Sequence, residues 1–452
     1  MAPPPSIGAH ALLVFLMQVG LLLSAALMLG RLANRLGMPA VVGELCAGVL
    51  FGPTVLGHLV PHVSAWLFPR TAAQFNLLDA IAQIGVVLLV GITGMEVDLG
   101  LVRRKGSVAV RVGLAGLVIP LAIGIAAGAV APRSLLGGST DRTAFALFVG
   151  VAMCVSALPV IAKTLSDMDL LHRNIGQLTI AAGVVDDVIG WLLLSVVSAM
   201  ATVGVRTGTV ASSVGLLAVA VLVTVTVVRP LVRRALGRCR RSSESGPTIA
   251  TAVLIIVLGA AATQAMGFEA AFGAFLGGLV IGSVNDTADL ARLAPLRAVV
   301  VSVLAPLFFA TAGLRVDLTV LSRTVPLLAA VTAVLIAVVG KFAGAYLGAL
   351  SSRLTKWEAL ALAGGMNARG VIQIVVAAVG LRIGVLDTTT YTVVILVAIT
   401  TSLMAPPILR YAMPRIRLTE EETERQRAWA VFRGPRSSAD SNSDSGSDSK
   451  VA

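Results

Sequence analysis

Two adjacent acids, Asp186 and Asp187, are the residues of this chain best suited to chemistry. They lie in the stretch Gly183–Trp191, within an otherwise apolar run. The run from Ile180 to Val197 approaches the length of about 20 apolar residues that crosses a bilayer. A charged side chain inside a membrane normally faces a partner or a water-filled cavity. The pair therefore predicts a place where protons or a cation bind.

A lone cation, Lys341, stands in the middle of another apolar run. Neighbouring helix residues point about 100° apart, so both acids cannot face one partner. We expect one acid to pair with Lys341 and the other to remain open to a cavity. Such a site holds protons or a metal cation, but not both, and that competition is the physical basis of exchange. A purely structural salt bridge is the alternative, and it leaves the second acid unexplained.

Na⁺ and similar hard cations prefer oxygen ligands, which the acids, Ser156, Asn367 and freed backbone carbonyls would supply. Ser156 begins the run Ser156-Ala157-Leu158-Pro159, where Pro159 lacks an N–H and should break the helix. Asn367 lies in the flexible run Gly364–Gly370, which also carries Arg369. Unwound backbone in a membrane is tolerated where it lines a cavity, and its helix ends can orient ions. The alternative to two interrupted helices is that Pro159 only kinks its helix and that Arg369 extends its side chain toward the membrane surface.

The composition excludes a soluble globular domain. Of the 452 residues, 57% are hydrophobic and 13% are charged, against about 45–50% and 25% in soluble domains. The net charge of +12 is spread over short loops, which favours membrane topology over nucleic-acid binding. No Lys or Arg precedes the first apolar run, so we expect a retained helix rather than a cleaved signal.

Thirteen apolar segments can be drawn, which predicts an all-α polytopic membrane protein. They are His10–Gly30, Pro39–Leu56, Leu77–Val97, Val108–Ala131, Ala144–Leu165, Ile175–Met200, Ser212–Leu231, Thr248–Met266, Ala270–Gly282, Val299–Leu314, Val325–Leu350, Leu360–Val379 and Tyr391–Leu409. Basic residues concentrate in the loops on one side. The positive-inside rule makes that side cytoplasmic, with the N-terminus outside and the C-terminus inside. Residues 410–452 read as a cytoplasmic tail, mostly disordered and rich in Ser and Asp toward its end.

An internal repeat relates the two halves. The third segment ends in Val97-Asp98-Leu99 and the tenth in Val316-Asp317-Leu318, while the second and ninth share glycine-rich runs. Six helices, a linker helix and six more place the halves in opposite orientation. Inverted repeats with an interrupted helix in each half are typical of transporters whose site lies at mid-membrane. The alternative to a repeat is that small residues recur wherever membrane helices pack closely. This explains the shared glycines but not the shared Val-Asp-Leu ends.

The motifs Gly37–Gly57, Gly85–Glu96, Gly273–Gly278 and Asn367–Gly370 resemble those of the second class of monovalent cation:proton antiporters, over roughly Leu12 to Leu409. The resemblance implies a sodium/proton antiporter fold and a homodimer that works by elevator-type alternating access. A dimer domain would comprise about 10–100 and 246–318, a core domain about 106–204 and 323–411, and a linker helix about 208–236. Residues 1–409 together would form the exchanger.

Roles of single residues follow from the same resemblance. Asp187 matches the ion-binding aspartate and Asp186 the partner of Lys341. The Asp-Asp pair resembles that of electrogenic members. Many members carry Arg-Gly-Glu here, whereas Val371 follows Arg369-Gly370, so a role for that glutamate is in doubt, although Gln373 lies nearby. No nucleotide-binding domain is expected, because no glycine-rich dinucleotide motif follows a strand pattern.

The sequence thus favours exchange of Na⁺ or K⁺ for protons across the plasma membrane, with no enzyme activity and no resident cofactor. The expected partners are the cation, protons, lipid and a second copy of the chain. Two other hypotheses remain. One is an ion-coupled carrier of an organic anion that Arg369 binds, and the other is a non-transporting sensor that signals through the tail.

Overall fold

The computed structural model describes residues 8–69, 72–97, 99–136, 141–203, 207–239, 244–284 and 292–424, which are helices joined by short connections. The helices that concern the membrane and the site are α1 Ala9–Arg35, α2 Ala40–Phe51, α3 Leu56–Leu59, α4 Pro61–Leu67, α5 Ala72–Met95, α6 Leu99–Val130, α7 Arg142–Cys154, α8 Leu158–Asp167, α9 Asn174–Val203, α10 Thr207–Val223, α11 Arg229–Cys239, α12 Gly246–Ala265, α13 Ala270–Val284, α14 Ala294–Val299, α15 Ala305–Gly313, α16 Thr324–Ser351, α17 Lys356–Met366, α18 Val371–Arg382 and α19 Thr388–Ala412. One π-helical turn joins α10 to α11, and another joins α14 to α15.

Within the described residues, ten helices or joined helices are long and apolar enough to cross a membrane. The number becomes eleven if α17 and α18, which meet at an angle of 42°, count as one bent span. Two further apolar helices, α7 and α13, are shorter. The chain is a multi-pass membrane protein, while the count of thirteen spans stays a prediction.

Glycines set the closest helix crossings. The backbone of Gly48 on α2 meets that of Gly313 on α15, and Gly278 on α13 meets Gly91 on α5. A Cβ on Gly48, Gly313 or Gly278 would collide with the backbone of the opposing helix. Membrane helices gain little from hydrophobic exclusion, so they associate by such close packing of small residues. Gly48 and Gly278 lie in the two glycine-rich runs of the proposed repeat, and Asp98 of that repeat is outside the described residues.

The helix α6 is bent at Gly106, whose backbone is non-helical with φ 45° and ψ −125°. Glycine adopts a positive φ without the clash that a side chain brings. The apolar part after this bend corresponds to the predicted segment Val108–Ala131. It packs along α16, where Gly340, Gly344 and Gly348 face α6 closely. This contact fixes the middle of α16, and with it Lys341.

The chain after α19 folds back onto the start of α9. Both oxygens of the Glu422 carboxylate are engaged: one accepts hydrogen bonds from the Asn174 N–H at 2.6 Å and from Arg173 Nε at 3.2 Å, the other from the Thr419 N–H at 2.9 Å. Burial alone raises the pKa of Glu422, but these donors together lower the pKa below its ordinary value. The predicted tail therefore includes an ordered part, 410–424, and its remainder, 425–452, lies outside the described residues.

This contact also defines one membrane face. The end of α19 lies there beside the end of α1, because the Arg410 guanidinium reaches Gly37, and the chain that follows reaches the start of α9. We call this the basic face, since α1 and α19 each carry an arginine in their last turn there. The opposite face holds the end of α9.

Candidate ion-binding site

The acid pair lies on α9 at the level where α7 ends and α8 begins. Asp186 and Asp187 are 0% and 1% exposed. The surrounding α9 residues are mostly alanine, valine and glycine, which form an uninterrupted helix and let other helices approach. Gly190, one turn after Asp186, faces Val155 in the gap between α7 and α8. The carboxylates thus meet the broken backbone directly.

Lys341 pairs with Asp186. Its Nζ lies 2.8 and 2.9 Å from the two carboxylate oxygens, and both side chains are completely buried. The same ammonium donates to the Cys154 carbonyl at 2.7 Å. That carbonyl is the last of α7, where the helix dipole is negative. Lys341 therefore neutralises both an acid and a helix end, across 155 and 187 positions of sequence.

The acids bind the start of the helix that follows the gap. The Ser156 N–H donates to Asp186 Oδ2 at 2.8 Å, and the Leu158 N–H donates to Asp187 Oδ1 at 3.4 Å. A helix N-terminus carries unsatisfied N–H groups and a positive partial charge, which favour an anion. The helix resumes at Leu158, so Pro159 occupies its first turn, where a missing N–H costs little. The side chain of Pro159 is outside the described part.

The gap between α17 and α18, residues 367–370, packs against the first gap. Ser156 Oγ donates to the Met366 carbonyl at 2.7 Å, and the Ala157 N–H donates to the Ala368 carbonyl at 3.3 Å. Gly370 is required for this approach, because a Cβ there would collide with the Val160 side chain on α8. Ser156 therefore joins the two gaps.

Asn367 is the polar side chain of the second gap. It is fully buried, and neither its Oδ1 nor its Nδ2 has a hydrogen-bond partner among the described residues. Asp187 Oδ2 is likewise buried and without such a partner there. Buried polar atoms are rarely left unpaired, because each costs about 1–3 kcal/mol. Among the described residues, these two side chains therefore have oxygen atoms available to a ligand.

Arg369 is completely buried at the second gap. Its guanidinium donates to the carbonyls of Ala152 and Met153, at 3.0 and 2.5 Å, and to that of Ala337 at 3.0 Å. Its own carbonyl accepts from Ser402 Oγ. Arg369 was expected as a charge partner of the site. Its described hydrogen bonds go to backbone carbonyls, so it neutralises the end of α7 instead of pairing with a carboxylate.

The charges of the site balance. Two carboxylates and two cations lie together, so the formal charge is zero when all four are ionised. Opposite charges at this depth attract strongly, because the surrounding dielectric constant is low. The Asp186–Lys341 pair is saturated by its hydrogen bonds. Asp187 is left as the acid that can exchange one ligand for another.

A polar cavity of about 340 Å³ opens near the basic face. It lies between the α1–α2 connection, with Asn34 and Pro39, and the helices α8 and α19, with Thr164 and Arg410. Thr164 follows Leu158 on α8 by six residues, or about 9 Å along the helix. The cavity therefore lies at the basic-face end of α8, whose other end carries the Leu158 N–H that binds Asp187. Nothing in the local sequence indicated this cavity.

Glu44 differs from what its position suggests. It lies near the start of α2, yet it is buried, with its side chain beside Gly30 of α1. Glu96, by contrast, is half exposed and pairs with Arg297 at 2.6 Å. Ser402 and the Cys154 carbonyl belong to the site and were not singled out, since neither has a signal in the sequence.

A bundle of membrane helices with buried, compensated charges at two opposed gaps defines the class of ion-transporting membrane proteins. Comparison with protein families is decisive: the model described as "Sodium/hydrogen exchanger, transmembrane" matches residues 22–413. The chain belongs to this family. The resemblance drawn from the motifs, to the second class of cation:proton antiporters, is confirmed.

Among curated proteins, the chain is 30% identical to the Na(+)/H(+) antiporter NhaS4 of Synechocystis over 405 residues, which are 88% of this chain and 97% of that protein. It is 26% identical over 418 residues to the K(+)/H(+) antiporter 1 of Saccharomyces cerevisiae, covering 89% of this chain and 47% of that one. It is 28% identical over 405 residues to the Cation/H(+) antiporter 17 of Arabidopsis thaliana, at 88% and 48%. The chain thus spans about half the length of these yeast and plant relatives. These homologues are transporters.

The fold resembles that of a solved antiporter. The sodium proton antiporter MjNhaP1 from Methanocaldococcus jannaschii superposes with a TM-score of 0.66 at 16% identity, covering 89% of this chain and 99% of that chain. At this identity the likeness concerns the fold alone.

Proposed function

We propose that this protein is a secondary active antiporter that exchanges a monovalent cation, Na⁺ or K⁺, for protons. The observation that carries the proposal is Asp187, a buried carboxylate with one oxygen unpartnered among the described residues, beside an acid already neutralised by Lys341. A second acid would be surplus in a structural ion pair. A second acid is needed where a cation and a proton bind the same carboxylate alternately.

The exchange follows from competition at one carboxylate. A proton on Asp187 removes the charge that holds a cation, and a bound cation excludes the proton. Asp187 Oδ2 and the amide oxygen of Asn367, neither with a described partner, supply hard oxygen ligands. Ser156 adds a hydroxyl oxygen that still has acceptor capacity while it donates to Met366. Asp186 and Lys341 position the gap around them.

Transport requires that Asp187 reach each face in turn. We propose elevator-type movement of the core, about 106–204 and 323–411, against a dimer-forming part, about 10–100 and 246–318, in a homodimer. Residues 208–236 would link the two halves. The polar cavity supports this division, because it lies between α1–α2 on one side and α8 and α19 on the other. The two gaps would cross within the core, as expected of inverted repeats.

Two further features of the proposal concern direction. The basic face is taken as cytoplasmic, with the N-terminus outside, in the plasma membrane, because basic residues favour the cytoplasmic side. Transport is taken as electrogenic, because the Asp186-Asp187 pair resembles that of electrogenic members of the family. Measuring the reversal potential of exchange at fixed ion gradients gives the number of protons moved per cation. Exchange whose rate and direction do not depend on the membrane voltage would contradict electrogenic transport.

The organic-anion carrier is less well supported. That hypothesis needs Arg369 to bind the substrate, but the guanidinium is completely buried and already donates to three carbonyls. Nε of Arg369 has no partner among the described residues, but an anion that also took the terminal nitrogens would have to displace these hydrogen bonds and leave the end of α7 uncompensated. The geometry therefore favours a cation as the transported ion.

The test is a vesicle assay with Asp187→Asn. Everted vesicles hold a proton gradient, and its dissipation is measured after adding Na⁺, K⁺ or Li⁺ across a range of pH. We expect the parent protein to dissipate the gradient with at least one cation and Asp187→Asn to fail with all of them. Asp141→Asn, at an exposed position with no side-chain cap bond, is the matched control and should transport normally. Full exchange by Asp187→Asn would refute the assignment.

A further inference from the structure

One face of α9 carries polar side chains from Asp187 to the far end of the helix. Trp191, Ser195 and Ser198 follow Asp187 at intervals of four, four and three residues. At about 100° per residue they fall within an arc of about 80°, so all four share one face. The row extends about 16 Å along the helix, at 1.5 Å per residue, from the site toward the face opposite the basic one. This direction is distinct from that of the polar cavity.

Two groups in the middle of this row have no described partner. The indole N–H of Trp191 and the hydroxyl of Ser195 are both buried, and neither forms a hydrogen bond with the residues that the structure describes. An apolar membrane helix has no structural need for unpaired polar atoms there, and each is costly. Together with Asp187 Oδ2 they form a line of groups that can hydrogen-bond to water when the face opens.

The row is closed by α13. The Trp191 ring packs on Phe275 with ring centroids 6.4 Å apart, which leaves no passage at that level. At the end of the row, Ser198 Oγ donates to Glu269 Oε1 at 2.6 Å. The other oxygen, Oε2, accepts from Arg382 at 2.6 Å. Glu269 immediately precedes α13, whereas Ser198 and Arg382 belong to α9 and α18.

The burial of this ion pair is unequal. The side chain of Glu269 is 7% exposed and that of Arg382 is 40% exposed, so the guanidinium covers the carboxylate from the solvent side. The pair also joins elements that the elevator movement would separate. When α9 and α18 move relative to α13, the Glu269 carboxylate loses both of its partners and keeps its charge. A carboxylate exposed in this way beside hydroxyl groups suits a hard monovalent cation.

We propose that Glu269 forms an outer site for the transported monovalent cation, occupied by Arg382 in this conformation, at the external end of a route along α9 to Asp187. This inference rests on the proposed function for its ion and on the proposed orientation for its side. It assigns Arg382 the role of a tethered cation that leaves when the ion arrives. The site is separate from the acid pair, about three turns of helix away along α9.

The route is tested by thiol labelling, which needs no transport. Ser195→Cys is introduced into a chain with Cys46→Ser and Cys239→Ser, and the same chain without Ser195→Cys measures any labelling of Cys154. A membrane-impermeant thiol reagent is added to either face of oriented vesicles. Adding Arg382→Gln should accelerate labelling from the external face by up to about 5-fold, the upper end of what the loss of a partly exposed ion pair gives. Arg315→Gln, which removes the ion pair with Asp79 elsewhere, is the matched control and should leave the rate unchanged.

The cation site is tested in the Arg382→Gln chain with Asp187→Asn added, so that the inner site no longer binds. Na⁺ or K⁺ at the external face should then slow labelling relative to choline, and Glu269→Gln should remove this protection. The proposal is overturned by labelling that Arg382→Gln does not accelerate, by labelling from the basic face alone, or by protection that survives Glu269→Gln. Because Asp187 is already replaced, these outcomes are independent of whether Asp187 carries transport.

Discussion

The buried pair of Asp186 and Lys341 allows the sharpest prediction. Lys341→Met keeps the length of the side chain but leaves Asp186 with the Ser156 N–H as its remaining described donor. Removing one partner of a buried ion pair costs about 3–5 kcal/mol, because the other charge stays desolvated. An unfolding entropy of about 2.1 cal/mol/K per residue, over 452 residues, makes 1 kcal/mol equal to about 1 °C. We therefore expect the melting temperature to fall by about 3–5 °C.

The double variant Asp186→Asn/Lys341→Met removes both charges together. Its loss should be smaller than the sum of the two single losses by at least about 2 kcal/mol, or about 2 °C, because no uncompensated charge remains. The assay is thermal unfolding of the four purified proteins in detergent. The partly exposed pair of Asp79 and Arg315 is the control cycle, and its coupling should not exceed about 1 kcal/mol.

Additive losses, within about 0.5 kcal/mol, would refute the reasoning, because they would mean that the two charges do not compensate one another. The transport assay adds a second readout. The double variant keeps Asp187, so we expect residual exchange with fewer protons moved per cation. A complete loss of exchange in a stably folded double variant would show that a charge on Asp186 or Lys341 is required for exchange.

Two other predictions concern packing and the C-terminal segment. Gly370→Ala puts a Cβ against the Val160 side chain and should lower the free energy of unfolding by about 1–3 kcal/mol. Thermal unfolding measures this change. Gly215→Ala is the control, because a Cβ at Gly215 meets no atom within 4 Å. Glu422→Gln should speed amide hydrogen exchange at the start of α9, because it weakens the hydrogen bond from the Asn174 N–H. Glu424→Gln is the control and should leave that exchange rate unchanged. Because the pKa of Glu422 is lowered, its contribution is present above the unfolded pKa and is lost as pH falls through the folded pKa. Protection that persists at about pH 2, well below the ordinary pKa of a glutamate, would contradict this account.

Much of the site could be predicted because a membrane makes charges conspicuous. An acid pair or a single lysine in an apolar helix needs a reason and a partner, so Asp186, Asp187 and Lys341 stand out from the amino-acid sequence alone. The helix gaps were visible for a related reason, since proline, asparagine and clustered glycines oppose a helical backbone. The bounds of the gap after Cys154 were less clear, because Pro159 is compatible with the first turn of the helix that follows it.

Ser156 and Arg369 show the limit of such inference. Both were expected near the ion, which stays a prediction, and the structure adds partners that the sequence did not indicate: the hydroxyl of Ser156 joins one gap to the other, and Arg369 binds the carbonyls that end α7. Which partner a buried donor takes depends on helices brought together from more than 200 positions away. No local pattern encodes that choice.

The sequence by itself determined the membrane class, the family and the acids, because hydropathy and the cost of charge in lipid act on each segment separately. The tertiary structure decided which groups remain available to an ion. In the folded chain, Asp186 pairs with Lys341. Asp187 and Asn367 keep oxygen atoms without a partner among the described residues. Glu269 binds Ser198 and Arg382. These outcomes depend on how the helices cross, and the crossings are fixed by the close contacts of glycines on different segments.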